Sequence, residues 1–302
     1  MEIYDVLVVG GGCAGASSGM YAARFNMKTV VFAEQPGGLI TTTHLVENYP
    51  GIKSITGPDM GQVFIEHAME SGAEMKFDRV KKIEKQEDGL FRVEAGNDEY
   101  ISRTVVMATG TKHRHLGVPG EEEYANKGVS YCALCDAAFF KDKTAAIVGG
   151  GDSAAIEANI LAQHCSKVYV LVRKDHMRAE PVNQDKIEKD PKVEIKYLTE
   201  IDSIGGDGEK VTHLMLKGGD KLELDGVFMA IGQLPQNELA EGVGAELDER
   251  GFLIVNRESG TNVPGFYGAG DITNAQFKQA IIGAAEGVYA SVKAYEYIQS
   301  QK

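Results

Sequence analysis

Two short glycine-rich runs, Gly10-Gly11-Gly12-Cys13-Ala14-Gly15 and Gly149-Gly150-Gly151-Asp152-Ser153-Ala154, constrain this chain more than anything else in it. Each follows an apolar stretch of strand character, Ile3–Val9 in one case and Thr144–Val148 in the other, and each leads into a helical pattern. In that context a Gly-x-Gly-x-x-Gly run has a physical meaning. Its glycines make a tight turn, let backbone approach a pyrophosphate, and let the helix pack closely on the strand. The helix then offers its partly positive N-terminus to the phosphates. Two such units predict an α/β chain with two Rossmann-like three-layer domains.

The first unit runs from strand Ile3–Val9 through helix Ala14–Asn26 to strand Thr29–Phe32. Glu34 follows, about 20 residues beyond the glycines, where an acidic side chain can accept the ribose hydroxyls of an adenosine. Gly37-Gly38, the Thr41-Thr42-Thr43 loop, a helix near Met60–Ser71, a strand pair around Val80–Glu84 and Leu90–Ala95, and an apolar strand ending at Thr109-Gly110 come next. The second unit repeats the outline with helix Ser153–His164 and strand Lys167–Val172, and closes on a strand that ends at Gly232. The last stretch carries Gly265-Phe266-Tyr267-Gly268-Ala269-Gly270-Asp271 and a helical pattern from Gln279 onward. Asp271, after a strand and before that helix, is placed to accept bonds from a ribityl chain, with Gln279-Ala280 facing a flavin's pyrimidine edge; the alternative is a helix cap. The expected domains are 1–115, 116–242 and 243–302, the middle one inserted in an outer one that needs both ends of the chain.

Of 302 residues, 43% are hydrophobic and 25% charged, the balance of an ordinary globular protein. No apolar run approaches the ~20 residues of a membrane helix, and the N-terminus goes straight into a strand, so a cytoplasmic protein without a membrane partner is expected. A net charge of -13 argues against a nucleic-acid partner, since phosphate backbones are held by basic surfaces. Four cysteines with a single close pair are not a disulfide framework.

That pair is Cys132-Ala133-Leu134-Cys135, followed by Asp136. Cysteines so spaced can close a small disulfide, and if they open a helix its dipole favours the thiolate that does the exchange. Asp136 is the candidate acid for the leaving thiolate. A zinc site would need two more ligands, whereas Cys13 belongs to the first turn and Cys165 has no neighbouring cysteine; no metal is expected, and both read as small buried residues. Neither spacing nor context gives His113 or His115 a catalytic role.

The second nucleotide unit lacks an acidic residue at its strand end and gives Val172-Arg173-Lys174-Asp175-His176-Met177-Arg178 instead. Arg173, Lys174 and Arg178 suit a 2'-phosphate, which points to NADPH rather than NADH. Losing two charge-assisted bonds at ~1.5 kcal/mol each would weaken that cofactor roughly a hundredfold. The alternative is a solvated basic loop.

Along nearly its whole length the chain resembles the low-molecular-weight thioredoxin reductases. The resemblance rests on Gly10 to Gly15, Gly37-Gly38, the threonine-rich loop leading to Glu47-Asn48-Tyr49-Pro50-Gly51, Ala108-Thr109-Gly110-Thr111, Cys132 to Asp136, Gly149 to Ala154, and Gly268-Ala269-Gly270-Asp271-Ile272. It implies FAD on the outer domain, held by Gly10, Gly12, Cys13, Ala14, Gly15, Glu34, Gly38, Leu39, Thr42, Asn48, Thr109, Gly110, Gly270, Asp271, Lys278, Gln279 and Ala280. It implies NADPH on the inserted domain at Gly149, Gly151, Asp152, Ser153, Ala154, Arg173, Lys174 and Arg178, and it implies a homodimer. Cys135 would be the thiol nearest the flavin, Cys132 the one that attacks thioredoxin, and Asp136 the acid. The chain departs from the family in Leu134 where Thr is usual, Val172 where His is usual, and Lys278 where Arg is usual; none of these removes a reacting atom.

The expected activity is therefore thioredoxin-disulfide reduction, with electrons passing from NADPH by way of FAD to Cys132–Cys135. Because dithiol and nicotinamide site share the inserted domain, residues ~116–242 are expected to rotate about two crossings near Lys112–His115 and Gly232–Pro235. Alternatives are a flavoprotein disulfide reductase with another donor (NADH, ferredoxin or a deazaflavin) or another carrier, and a nucleotide-binding redox sensor. The missing N-terminal thioredoxin-like extension speaks against a peroxiredoxin-linked variety.

Overall fold

The computed structural model describes residues 2–43 and 46–301, so part of the threonine-rich loop lies outside the described residues. Two compact units emerge, Met1–Lys112 with Leu234–Lys302, and His113–Gln233.

The outer unit is built from β1 (Ile3–Val9), α1 (Cys13–Arg24), β2 (Thr29–Phe32), α2 (Gly57–Glu70), β3 (Glu74–Lys76), β4 (Val80–Lys85), β5 (Phe91–Ala95) and β6 (Asp98–Met107). β7 (Thr111–His113) leads away from it. The inserted unit holds β8 (Val129–Ser130), α3 (Ala133–Asp136), β9 (Thr144–Val148), α4 (Asp152–His164), β10 (Lys167–Leu171), α5 (Pro181–Glu188), β11 (Val193–Lys196), β12 (Ile201–Gly206), β13 (Val211–Leu216), β14 (Lys221–Glu223) and β15 (Gly226–Met229). β16 (Gln233–Pro235), α6 (Glu238–Glu241), β17 (Phe266–Gly268) and α7 (Ala280–Ser300) complete the chain. β7 and β16 pair as a two-stranded ribbon at the two chain crossings. The chain returns at 233/234, within the Gly232–Pro235 crossing read from the sequence, whereas the sequence pattern puts the domain boundary at 242/243. The reason is α6, whose Ala240 is fully buried in the outer unit's core with Ile83 and Val80.

The outer sheet has the order β3-β2-β1-β6-β5-β4, with β17 beside β6. Its parallel part is covered on both faces, which explains the unbroken apolar runs. Leu7 and Val9 enter one core with Phe32, Phe91 and Phe266, while Val6 and Val8 enter another with Ala16 and Ala22 of α1 and Ala290 and Ala294 of α7. Pairing Val9 with Phe32 and Met107, and Met107 with Gly268, brings the carboxyl ends of β1, β2, β6 and β17 to one edge, where open α/β sheets bind ligands.

Helices α1 and α7 meet through small residues. The Ser291 hydroxyl donates to the Ser18 carbonyl at 2.8 Å, and a Cβ on Gly287 would lie 2.1 Å from the Ala14 carbonyl oxygen. Close approach here depends on the missing side chain, because helix separation follows the side chains at the contact. The inserted unit carries the parallel sheet β11-β10-β9-β15-β8 and an antiparallel sheet β12-β13-β14. That second sheet is absent from the sequence expectation.

Candidate functional site

The first glycine turn divides its glycines by task. Gly10 has φ 115° and a Cβ there would sit 2.1 Å from the Ala108 oxygen, while a Cβ on Gly15 would sit 1.8 Å from the Gly10 oxygen. Both are demanded by the protein's own packing. Gly12 is different: its nearest neighbour would be Gly38 Cα at 3.7 Å, and as the N-cap of α1 it has no side-chain capping bond. An open glycine beside uncapped amides is a cradle for a phosphate. Gly37 bridges to Gly12, and Gly38, Leu39 and Thr42 follow in a 3-10 turn, where the Thr42 hydroxyl donates to the Leu39 carbonyl at 2.8 Å. Cys13 and Ala14 open α1, and Glu34 is exposed just beyond β2, 3.8 Å from Arg79.

The last third of the chain closes on the same edge. Asn48 donates to the Gln279 side chain at 3.2 Å, and the Gly270 N–H donates to the Glu286 carboxylate at 2.7 Å. Thr109 donates to the Gln236 carbonyl at 2.7 Å, beside Gly110 with φ 66°. Burial pushes the Asp271 carboxyl up, with Lys278 opposing. Asp271 is not a helix cap: α7 has Gln279 as its N-cap and Ala280 as its first residue. The Lys278 ammonium donates to the carbonyls of Asp271 and Thr273 at 2.9 and 2.8 Å, so it ties down this loop. Phosphate cradle, half-buried carboxylate and a second uncapped helix start at α7 are a donor set that fits a dinucleotide with a polyol chain.

The second turn repeats the division. Gly149 has φ 152° and a Cβ there would meet the Ala230 oxygen at 2.5 Å, whereas Gly151, the uncapped N-cap of α4, has nothing within 4 Å. Asp152 is turned toward α5, accepting from the Glu180 N–H at 2.7 Å and the Asn183 amide at 3.0 Å, bonds that hold its carboxyl below the usual range. Ser153 is exposed and Ala154 buried. Arg173, Lys174 and Arg178 are exposed, and the Arg178 N–H closes their loop on the Gly150 carbonyl at 2.6 Å. His176 pairs with Asp175 at 2.6 Å within the same loop.

Cys132 and Cys135 form a disulfide, their Cα atoms 5.3 Å apart, with Cys132 as the N-cap of α3. The Cys135 N–H donates to Cys132 Sγ at 3.2 Å, so a helix-start amide already points at the sulfur that would carry charge. Both cysteines are half-buried, and Leu134 between them is 42% exposed. Ser130 donates to the Asp136 carboxylate at 2.6 Å, and the Ala133 N–H donates to Glu157 at 3.2 Å. Burial pushes the Glu157 carboxyl up to about 7. Among the described residues no cluster suits a metal ion. Cys165 is buried as expected, while Cys13 is only half-buried, its thiol pushed up to about 12 by desolvation.

His113 and His115 both lie against the Tyr131 ring, and the Tyr131 hydroxyl reaches His115 Nδ1 at 2.9 Å and Glu121 at 3.0 Å. Glu121, 1% exposed, also accepts the N–H groups of Leu116 and Gly117. This network frames the segment that enters Cys132. Glu121, Glu157 and Glu286 are absent from the sequence expectation, because a lone glutamate in a polar pattern reads as surface.

The profile of the pyridine nucleotide-disulphide oxidoreductase family matches residues 4–287. A thioredoxin reductase of Listeria innocua is 37% identical, the match covering 100% of this chain and 96% of that protein. One from Bacillus subtilis is 37% identical over 99% of this chain and 96% of its own length. Among solved structures, thioredoxin reductase from Streptococcus pyogenes MGAS5005 superposes with a TM-score of 0.91 at 35% identity, covering 99% of both chains. That of T. acidophilum gives 0.67 at 36% identity, covering 100% of both. Among the described residues no helix is long and apolar enough to cross a membrane.

Proposed function

This chain belongs to the pyridine nucleotide-disulphide oxidoreductase family, and from that membership we propose how its residues serve a thioredoxin-disulfide reductase with FAD as prosthetic group and NADPH as electron donor. The observation that carries the reading is the half-buried Cys132–Cys135 disulfide at a helix start, within the unit that holds the second uncapped glycine turn.

On the outer unit, Gly12, Cys13, Ala14 and Gly38 would hold the FAD pyrophosphate, with Gly10 and Gly15 shaping the turn. Glu34 would take the adenosine ribose, and Asp271, with Gly270 before it, the ribityl chain. Leu39, Thr42, Asn48, Thr109, Gly110, Lys278, Gln279 and Ala280 would line the flavin. On the inserted unit, Gly149, Gly151, Asp152, Ser153 and Ala154 would form the NADPH pyrophosphate turn, and Arg173, Lys174 and Arg178 would meet the 2'-phosphate. Bound FAD supplies a two-electron carrier able to open a disulfide.

The chain's own thiols then do the exchange. Cys132, as thiolate, attacks the thioredoxin disulfide, forming a mixed disulfide and releasing one thioredoxin thiolate. Cys135, as thiolate, attacks Cys132 Sγ, which re-forms the internal bond and frees the second thioredoxin sulfur; Asp136 gives a proton to a departing thiolate. The protein would act in the cytoplasm as a homodimer.

Rapid mixing of the yellow protein with NADPH, NADH or reduced ferredoxin in parallel tests the donor, and fast bleaching by NADPH alone is expected. The Cys135→Ser enzyme should still accept electrons from NADPH and fail to reduce thioredoxin; retained thioredoxin reduction would dispose of the relay. A different donor for the same dithiol is the second reading, favoured by Asp175, an exposed carboxylate that partly offsets the basic loop.

A further inference from the structure

Glu157 is accounted for by neither the glycine turn nor the thiol exchange. It lies in the second turn of α4, and its Oε2 accepts the N–H of Ala133 at 3.2 Å. Ala133 is fully buried and adjoins Cys132, whose Sγ takes the Cys135 N–H. The joint between α3 and α4 is apolar, with Ala133 and Ala137 packed into one core with Ala155, Ala158 and Leu161.

Among the described residues no cation pairs with the carboxylate there. From the dithiol turn the titratable groups are Cys132, Cys135 and Asp136, the last bound by Ser130. On α4, Asp152 is tied to the start of α5 and His164 stands in the last turn. α5 brings Asp185, paired with Lys189, together with Lys186 and Glu188; β10 brings Tyr169 and Lys167, the latter paired with Glu194; β9 and residues 137–140 bring none. Among the described residues none of these forms an ion pair with Glu157.

We propose that Glu157 is a positioning residue for the dithiol: it holds the first amide of the Cys132–Cys135 turn and, by its charge, opposes thiolate formation at Cys132. The inference rests on the redox reading of that pair. Because burial pushes its carboxyl up to about 7, Glu157 changes charge near neutral pH. Protonated, it still accepts the Ala133 N–H through a neutral oxygen. Ionised, it sets a negative charge against the turn whose Cys135 N–H would stabilise the thiolate, so the two titrations are linked.

The test uses the full-length protein. Excess dithiothreitol opens the disulfide, giving up two electrons and two protons to the two cysteines and closing to its own cyclic disulfide. After its removal, iodoacetamide labelling of Cys132 is followed by peptide mass spectrometry from about pH 5.5 to about pH 9, a range that spans thiolate formation. The wild-type rate should bend near neutrality. Glu157→Gln, which keeps an accepting oxygen and loses the charge, should lack the bend and label on the order of tenfold faster near pH 7.5, one unit of thiol pKa. An E157Q profile that matches wild type, or is slower, overturns the proposal, and E157A sharpens this. If E157A alone disturbs labelling, the side chain is a prop without electrostatic effect. Should dithiothreitol release no pair of labelled cysteines, the redox reading itself fails, a result distinct from either.

Discussion

A single methyl group at Gly287 should do far more damage than the same group one helical turn earlier, at Gly283. The Gly287→Ala Cβ would lie 2.1 Å from the Ala14 oxygen, 3.0 Å from the Ala14 carbonyl carbon and 3.1 Å from the Ser18 nitrogen. Ordinary contact needs about 3.5 Å, so α1 and α7 must part by roughly 1 Å. Overpacking of this kind costs about 1–3 kcal/mol. Loosening the Ser291–Ser18 bond adds about 1 kcal/mol, and the better helix propensity of Ala returns about 0.5–1 kcal/mol. The net loss is about 2 kcal/mol, or a Tm lower by roughly 4–8 °C for a unit of this size. At Gly283 the nearest atoms would be Gly270 Cα at 3.4 Å and Ala14 Cβ at 3.5 Å, ordinary contacts, so only the helix gain remains. Scanning calorimetry of both variants decides. If Gly287→Ala melts with Gly283→Ala, the argument that α1 and α7 meet through backbone is wrong.

Replacing Arg173 and Lys174 together by Ala should raise KM for NADPH by roughly a hundredfold and change that for NADH much less; equal effects on both would remove the phosphate assignment. Burial pushes the Glu286 carboxyl up, so its contribution to stability is fully present below the unfolded value and is lost as pH rises through the folded one. Thermal melts of wild type and Glu286→Gln across a pH series should therefore show the wild type losing ground as pH rises, and a trend in the other direction would refute the assigned cause.

The sequence carries the parts of the fold whose pattern is one of burial. Ile3–Val9, Thr29–Phe32 and Thr144–Val148 are legible to the residue because covered strands are mostly apolar, Val6–Val9, Val30–Phe32 and Ala145–Val148 without a break. Helix ends are less so: α1 stops at Arg24, short of Asn26, whose φ of 56° turns the chain back. β12 and β13 escape notice because only Ile201, Ile204, Val211 and Leu214 face inward and the pairing shifts register at Ser203 and Gly206. Within the site, Gly10, Gly15 and Gly149 are readable since neighbouring backbone leaves no room for a side chain. Glu157 and Glu286 are not, because each meets a backbone N–H 24 or 16 residues away. Lys278 is legible as a position, yet its ammonium is spent on two carbonyls.

The two-ended outer unit imposes an order on biosynthesis. While the ribosome is still working, the nascent inner lobe can complete its parallel sheet, but the edge at Val105–Met107 and the flank of α1 stay bare until β17 and α7 emerge. At ~5–20 residues per second that delay is roughly 10–40 s, during which a greasy surface is on offer to chaperones and proteases. A message cut short before its final codons would thus release a sticky, unfinished half rather than a slightly smaller enzyme.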